Sequence, residues 1–421
     1  MIDSVKKQRL LLLGGSNSID DIKKFAELNN VTLVATAHPR YGITPLKAIA
    51  DESYDVNAID VEGLVKLIKE KNITAVFPGC NETVLPYAIS VAEACGLPIY
   101  TNRRSWDTCA DKSQFKKMCS EAGIPVAKTY DKDNLDKISK YPVVVKPADS
   151  SGSHGFSICH SKEDVIVAIE KALPFSRTQN VLIEDYIPFN SSIIHYTISS
   201  GKAIFCGISD KKSMLLGEDT GSVMALQTFP SADTEKYLQT LDSKVKKMFE
   251  TAGLKEGPLW IEAFNDHGKF VFNEMGYRFG GSMTYYPVRY FYNFDQLELM
   301  LKYALGENVE PSECTSLIRT DLPKGKKYAI LPLHVKAGTI KEIKGEKELQ
   351  ANSNIYAYVP IHFVGDTVKG DASVQQVFCY LHILFDEESD LIGTVDSVLN
   401  SLSVTSDNGE PLLFCLYKFK K

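Results

Sequence analysis

Two glutamates stand six residues to either side of a glycine: Glu262 and Glu274 about Gly268. The flanking runs Leu259–Phe264 and Phe270–Met275 are rich in the aromatic and β-branched residues that strands favour, and Asn265-Asp266-His267-Gly268 is a turn cluster. A hairpin folded about Gly268 sets the two carboxylates opposite each other, with Cβ atoms about 4.5–5.5 Å apart, where like charges repel. Such a pair gains nothing unless a cation sits between its members, and two hard oxygen donors suit Mg²⁺. Arg278 follows four residues after the second glutamate. A guanidinium close to a cation is equipment for handling a phosphoryl group. Without a cation the same residues make a surface hairpin with two solvated carboxylates, and spacing alone weighs the two readings evenly.

Upstream, Tyr141–Lys146 reads as a buried valine strand that ends at a lysine and is stopped by Pro147. Asp149-Ser150-Ser151-Gly152-Ser153-His154-Gly155 follows. Small residues with two glycines can turn several backbone N–H groups one way and make an anion cradle, with Lys146 at its mouth as a point charge for phosphate. The loop has neither the Gly-Lys-Ser/Thr of a Walker loop nor Gly-x-Gly-x-x-Gly, and an ordinary flexible hairpin loop is the plain alternative. Val181–Asp185 is a second buried strand, running into Tyr186-Ile187-Pro188. Such a stop exposes backbone at a cleft edge, where a flat base could pair and Glu184 could accept from its amino group. A charged strand end is the plain alternative there.

The elements that must position these residues follow from periodicity. Over residues 1–108, strands at Arg9–Leu13, Val31–Thr36, Ile73–Phe77 and Pro98–Tyr100 alternate with helices at Asp20–Asn29, Val61–Lys71 and Val84–Cys95, which predicts a parallel sheet covered on both faces. Gly14-Gly15-Ser16, His38-Pro39-Arg40 and Asn81-Glu82 stand after strands, where ligands gather in such sheets, although loop polarity accounts for them as well. Residues 109–330 hold the chemistry, with helices at Asp111–Ala122, Ser161–Ala172, Thr234–Ala252 and Asp295–Leu305 and a lid-like subdomain about 142–200. Gly280-Gly281-Ser282, beside Arg278 and ahead of the aromatic run Tyr285–Tyr292, is where a carboxylate substrate should lie. Residues 331–421 are β-rich, with alternation at Ile355–Phe363 and Val377–Phe385, turns at Gly338 and Asn408-Gly409, and a helix at Glu387–Leu402. The fold class is therefore α/β and α+β: a Rossmann-like N-terminal domain, a two-lobed central domain and a small β-rich C-terminal domain.

At 421 residues the chain is too long for one core. A net charge of −6 argues against a nucleic-acid partner. No apolar run approaches the ~20 residues of a membrane span, and Leu10–Leu13 is far shorter than the apolar core of an export signal. The nine cysteines (80, 95, 109, 119, 159, 206, 314, 379 and 415) include no Cys-x-x-Cys pair and suit a reducing cytoplasm.

Taken in order, Lys112, Lys146, the Ser/Gly loop, Glu184-Asp185-Tyr186-Ile187, Glu262, Glu274 and Arg278 resemble the ATP-grasp superfamily, over most of the chain from about Leu10 onward. The resemblance implies a pre-ATP-grasp domain over 1–108, an ATP-grasp domain over 109–330, and a C-terminal domain similar to that of biotin-carboxylase-like members. It implies that Lys112 and Lys146 bind ATP phosphates and that the backbone of Ser151, Gly152, Ser153 and Gly155 closes over the β- and γ-phosphates. Glu184 and the backbone of Asp185 and Ile187 would read adenine, Glu262 and Glu274 would hold Mg²⁺ (or Mn²⁺), and Lys211 would be a further cleft lysine. Arg278 would stabilise an acyl phosphate and the tetrahedral species after it. Three positions depart from the pattern. Gly276 stands where many members carry a metal-binding Asn, a Glu-x-Gly-x-Arg form more similar to the L-amino acid ligases. Ser191 stands where a ribose-binding Glu is usual, and His154 where a loop Arg or Lys is common.

The implied function is an ATP- and Mg-dependent, ADP-forming carboxylate–amine ligase with small-molecule substrates, amino acids foremost. Homodimers are frequent among the look-alikes, and no sequence feature marks an interface. Two other classes stay open: a degenerate module that holds nucleotide without catalysis, and a dehydrogenase built on Gly14-Gly15.

Overall fold

The computed structural model describes residues 7–14, 19–38, 44–149, 154–188, 190–215, 222–310, 312–313, 323, 325–370 and 373–419. Gly15, Ser16, Pro39, Arg40 and the loop residues Ser151, Gly152 and Ser153 lie outside them. The leucine run Arg9–Leu13 is an interior strand of a parallel four-stranded sheet ordered Glu52–Tyr54, Thr32–Thr36, Arg9–Leu13, Ala75–Phe77. Leu10 and Leu12 enter one apolar cluster while Leu11 and Leu13 enter another, so both faces are covered and the run is apolar throughout. Pro98–Tyr100 does not become the expected strand. Tyr100 packs instead against Gly257, where a Cβ would lie 2.4 Å from its ring, and donates its hydroxyl to the Tyr277 carbonyl at 3.2 Å. That segment joins the N-terminal sheet to the rest of the molecule rather than extending it.

Helix Arg103–Ala110 was not visible in the periodicity, because it buries only Trp106 and Cys109. Asp111 ends it and caps the next helix, Lys112–Glu121, accepting from the N–H groups of Ser113 and Gln114 at 2.8 and 2.9 Å. The single helix expected over 234–252 is two, Thr234–Thr240 and Asp242–Thr251. The break falls at buried Leu241, and Asp242 beyond it accepts the Tyr196 hydroxyl at 2.6 Å.

Two antiparallel sheets face each other across a cleft. The smaller is ordered Thr129–Tyr130, Val181–Asp185, Val143–Pro147, Ser157–Cys159. Helix Lys162–Ala172, started by a Ser161/Asp164 capping box, sets Val165, Ala168 and Ala172 against Val143, Val145 and Cys159. The larger runs Lys269–Gly276, Gly257–Asp266, Ser191–Ser199, Lys202–Leu215, Ser222–Phe229, Lys327–Val335, Val377–Phe385, Ile355–Pro360, with Leu413–Cys415 also on Lys327–Val335. Strand Ser191–Ser199, within the 142–200 span, therefore belongs to the large sheet, and the small sheet reaches back to Thr129. The C-terminal strands continue the large sheet, because Lys327–Val335 pairs on one side with Ser222–Phe229 and on the other with Val377–Phe385. Gly338 opens the strand Gly338–Lys344. Among the described residues no helix is long and apolar enough to cross a membrane.

Candidate functional site

The hairpin of Gly257–Asp266 and Lys269–Gly276 turns on His267 and Gly268, both with positive φ (49° and 81°), the two-residue geometry that matches strand twist. With Asp266 paired to Lys269, a regular ladder would set Glu262 opposite Asn273. The register shifts instead between Glu262 and Ala263: Ala263 pairs with Phe272, and Glu262 with Glu274. Asn273 is thus the extra residue of a β-bulge. Ala263 and Phe272 remain fully buried in the core, and both glutamates line the cleft.

The cleft between the sheets encloses about 570 Å³. Its lining gathers Lys112, Lys146, Glu184, Asp185, Ile187, Lys211, Glu262 and Glu274, residues drawn from positions 112 to 274 of the chain. Each cation faces a carboxylate. Lys112 Nζ is 3.1 Å from Glu274 Oε2, and Lys211 Nζ is 3.0 Å from both oxygens of Glu262, which also accepts the Ser191 hydroxyl at 2.6 Å. Lys146 Nζ is 2.9 Å from Glu184 Oε2 and donates to Asn273 Oδ1 at 2.7 Å. His154 also lines the cleft, stacked on Phe175. Gly155 ends the loop with φ +71°, and a Cβ there would lie 3.0 Å from Phe175 and Pro147. The space and the backbone both demand glycine at that point.

Glu184 lies between two lysines. It is 2% exposed, and its second oxygen lies 2.9 Å from Lys116 Nζ, so both oxygens are engaged by lysines. Burial opposes its charge, but Lys146 and Lys116 outweigh burial and hold its carboxyl below the usual range. In this arrangement the carboxylate fixes the two lysines. Asp185, Tyr186, Ile187 and Pro188 remain as the strand end lining the cleft. Lys116 escaped the sequence reading, although it lies four residues after Lys112 on the same helix and hence on the same face.

Two opposed carboxylates on one face fit a hard divalent cation. Burial opposes ionisation of Glu274, yet Lys112, Lys146 and Lys211 outweigh it and hold the carboxyl down at about 2, so the oxygens are charged donors at neutral pH. Gly276, where a third ligand is common, is closed by packing: a Cβ there would lie 2.4 Å from Cε2 of Trp260.

Arg278 is not among the residues lining that cleft; it follows the end of the strand Lys269–Gly276. Its Nε donates to Glu82 Oε2 at 3.1 Å, its Nη2 pairs with the same oxygen, and its guanidinium stacks over Trp260 at 5.3 Å. Glu82, weighed in the sequence as a ligand position after a strand or as loop polarity, brings the N-terminal sheet to Arg278. Gly280 and Gly281 precede Ser282, which donates to Gln227 Oε1 at 3.1 Å. Gly281 has open space on its Cβ side.

A family model described as ATP-grasp domain matches residues 139–285 of this chain. The chain carries that domain, with the mixed α/β architecture its sequence implied. Among curated proteins it is similar to the formate-dependent phosphoribosylglycinamide formyltransferase of Wolinella succinogenes, at 27% identity over 207 residues, which cover 47% of this chain and 53% of that one. The chain spans about half the length of these curated relatives. Among solved structures it is similar to the biotin carboxylase domain of Hydrogenobacter thermophilus 2-oxoglutarate carboxylase, in complex with magnesium ADP, ADP and bicarbonate: TM-score 0.78, 16% identity, 96% of this chain and 91% of that one. The L-amino acid ligase of Bacillus licheniformis gives a TM-score of 0.74 at 17% identity, covering 96% and 99%. At those identities the structural likeness speaks for the fold alone.

Proposed function

We propose that this chain is an ATP-dependent ligase that joins a small carboxylate to an amine through an acyl phosphate. The observation that carries it is the convergence of Lys112, Lys146 and Lys211 on Glu274, Glu184 and Glu262 in one cleft, with Arg278 and Glu82 at its end. Phosphate oxygens entering the cleft would replace carboxylates as partners of the lysines. Glu262 and Glu274 would hold Mg²⁺, whose charge offsets that of the phosphoryl group being transferred. The backbone at Asp185 and Ile187 would meet the base, and the loop from Ser151 to Gly155 the phosphates. In this reading residues 1–108 frame the substrate side, 109–330 carry the nucleotide, and 331–421 back the cleft, reaching it through Val374.

Arg278 is the carboxylate-binding group of this reading. A carboxylate oxygen attacks the γ-phosphorus and ADP leaves. The amine nitrogen then attacks the acyl carbon, phosphate leaves, and the nitrogen gives up a proton. Arg278 carries the oxyanion in between, and loss of one such donor typically costs ~10²–10³ in rate. Glu82, seated on Arg278, supplies an acceptor for ammonium. The pair therefore matches the two ends of a zwitterion, which favours amino acids near Gly280-Gly281-Ser282. The relatives' formate-dependent formyl transfer to a glycinamide belongs to the same class of joining.

The test is ADP release across a panel of carboxylate and amine pairs that includes formate and the amino acids. Release should require both partners and should fall ~10²–10³-fold in Arg278→Ala, assayed under conditions where the variant remains folded. Near-wild-type turnover in that variant would refute the assignment. Binding of MgATP with no release for any pair would favour a non-catalytic nucleotide module instead.

A further inference from the structure

We infer that Asn273 reads the purine of the nucleotide, donating its side-chain N–H to N7; this rests on the nucleotide reading of the cleft. The hairpin gives the cleft a direction. From Gly276, packed on Trp260 near Arg278, it passes to Glu274 facing Lys112, then to Asn273, and then toward Phe264, which pairs with Val271 nearer the turn. Asn273 thus lies on the side of the metal pair away from the substrate end. Its Oδ1 is 2.7 Å from Lys146 Nζ, and that ammonium is 2.9 Å from Glu184, the residue before the strand end at Asp185. The amide is anchored beside the backbone where a flat base would pair.

Its orientation follows from chemistry. An ammonium has only donors, so the carbonyl oxygen of Asn273 must face Lys146 and the NH₂ must point elsewhere. Asn273 and Lys146 both line the cleft, along with the apolar Val144, Ile158, Phe264 and Met224, which suit the faces of a ring. On its outward edge a purine presents N7 as an acceptor. The bulge strengthens the case. On either side of Asn273 the ladder runs in register, Ala263 with Phe272 and Glu262 with Glu274. A chain without Asn273 could close that ladder and keep the two carboxylates opposed. The extra residue is taken up as a bulge that keeps the carboxylates opposed and adds one amide to the cleft beside Glu274.

The experiment titrates ATP and 7-deaza-ATP, which has carbon in place of N7, each with Mg²⁺, into wild type, Asn273→Leu and a variant lacking residue 273. Wild type should bind the deaza compound roughly threefold to tenfold more weakly, the size of one hydrogen bond. Both variants should bind the two nucleotides equally and keep their Mg²⁺ dependence. Variants that retain the preference would overturn the inference and assign N7 to another group, Lys146 first. A wild type that binds ATP with no preference would overturn the inference and leave the nucleotide reading standing. A wild type that binds neither nucleotide would overturn both.

Discussion

Glu262 faces Glu274 across two strands whose turn is not centred between them: the turn falls at His267 and Gly268, and Asn273 supplies the extra residue that restores the pairing. The equal spacing about Gly268 thus leads to the correct partners through two offsets that cancel. The physical consequence is a cleft with two opposed carboxylates and an amide beside one of them; a regular hairpin would have set Asn273 opposite Glu262 and turned Glu274 toward the core.

The Lys116–Glu184–Lys146 cluster should behave as a structural unit. Removing one member of a buried ion pair leaves uncompensated charge, at a cost of about 3–5 kcal/mol. Glu184→Gln should lower the denaturation midpoint by that order, and adding Lys116→Met should recover most of the loss. Unchanged melting with weakened ATP binding would return Glu184 to a base-reading role.

Gly276 should refuse the asparagine found in many members of the superfamily. Its Cβ would meet the Trp260 indole at 2.4 Å, and overpacking of this kind costs about 1–3 kcal/mol. Gly276→Asn should be destabilised in urea unfolding, and Trp260→Val in the same chain should relieve it. Equal stability of the single variant and wild type would show that the indole moves aside freely.

Acid sensitivity should begin with imidazoles. Burial holds His195 and His382 down to about 3, below the ordinary 6.5, so the folded chain binds fewer protons than the unfolded one between those values. Their contribution to stability is fully present above pH 6.5 and is lost as pH falls toward 3, by about 1.4 kcal/mol per unit for each ring. Glu274, whose carboxyl is held below the ordinary 4.5, adds to the loss only below that value. Between pH 6 and 5 the stability slope should therefore shrink by one proton in His195→Gln, measured by denaturant titration. An unchanged slope would place His195 in contact with solvent.

The parallel N-terminal sheet was legible because Leu10–Leu13 is apolar on both faces, and the hairpin because its turn residues and strands are distinct in type. That Lys112, Lys146, Lys211, Glu262 and Glu274 share one cleft was legible through their order along the chain. Their partners were not. Lys116 carried a local mark, its spacing of four from Lys112, whereas Asn273 and Glu82 acquire their contacts from a bulge and from packing of the first sheet, which leave none. Tyr100 illustrates the same limit: Pro98–Tyr100 has the composition of a strand, yet tertiary packing on Gly257 decides its conformation.

The central claim is that two opposed carboxylates clamp a divalent ion beside a nucleotide. Calorimetric titration of ATP into wild type and Glu274→Gln, with and without Mg²⁺, tests it most directly. Mg²⁺ should tighten ATP binding to wild type by at least tenfold and do little for the variant. Equal affinity in wild type with and without Mg²⁺, or an undiminished Mg²⁺ effect in Glu274→Gln, would contradict the account.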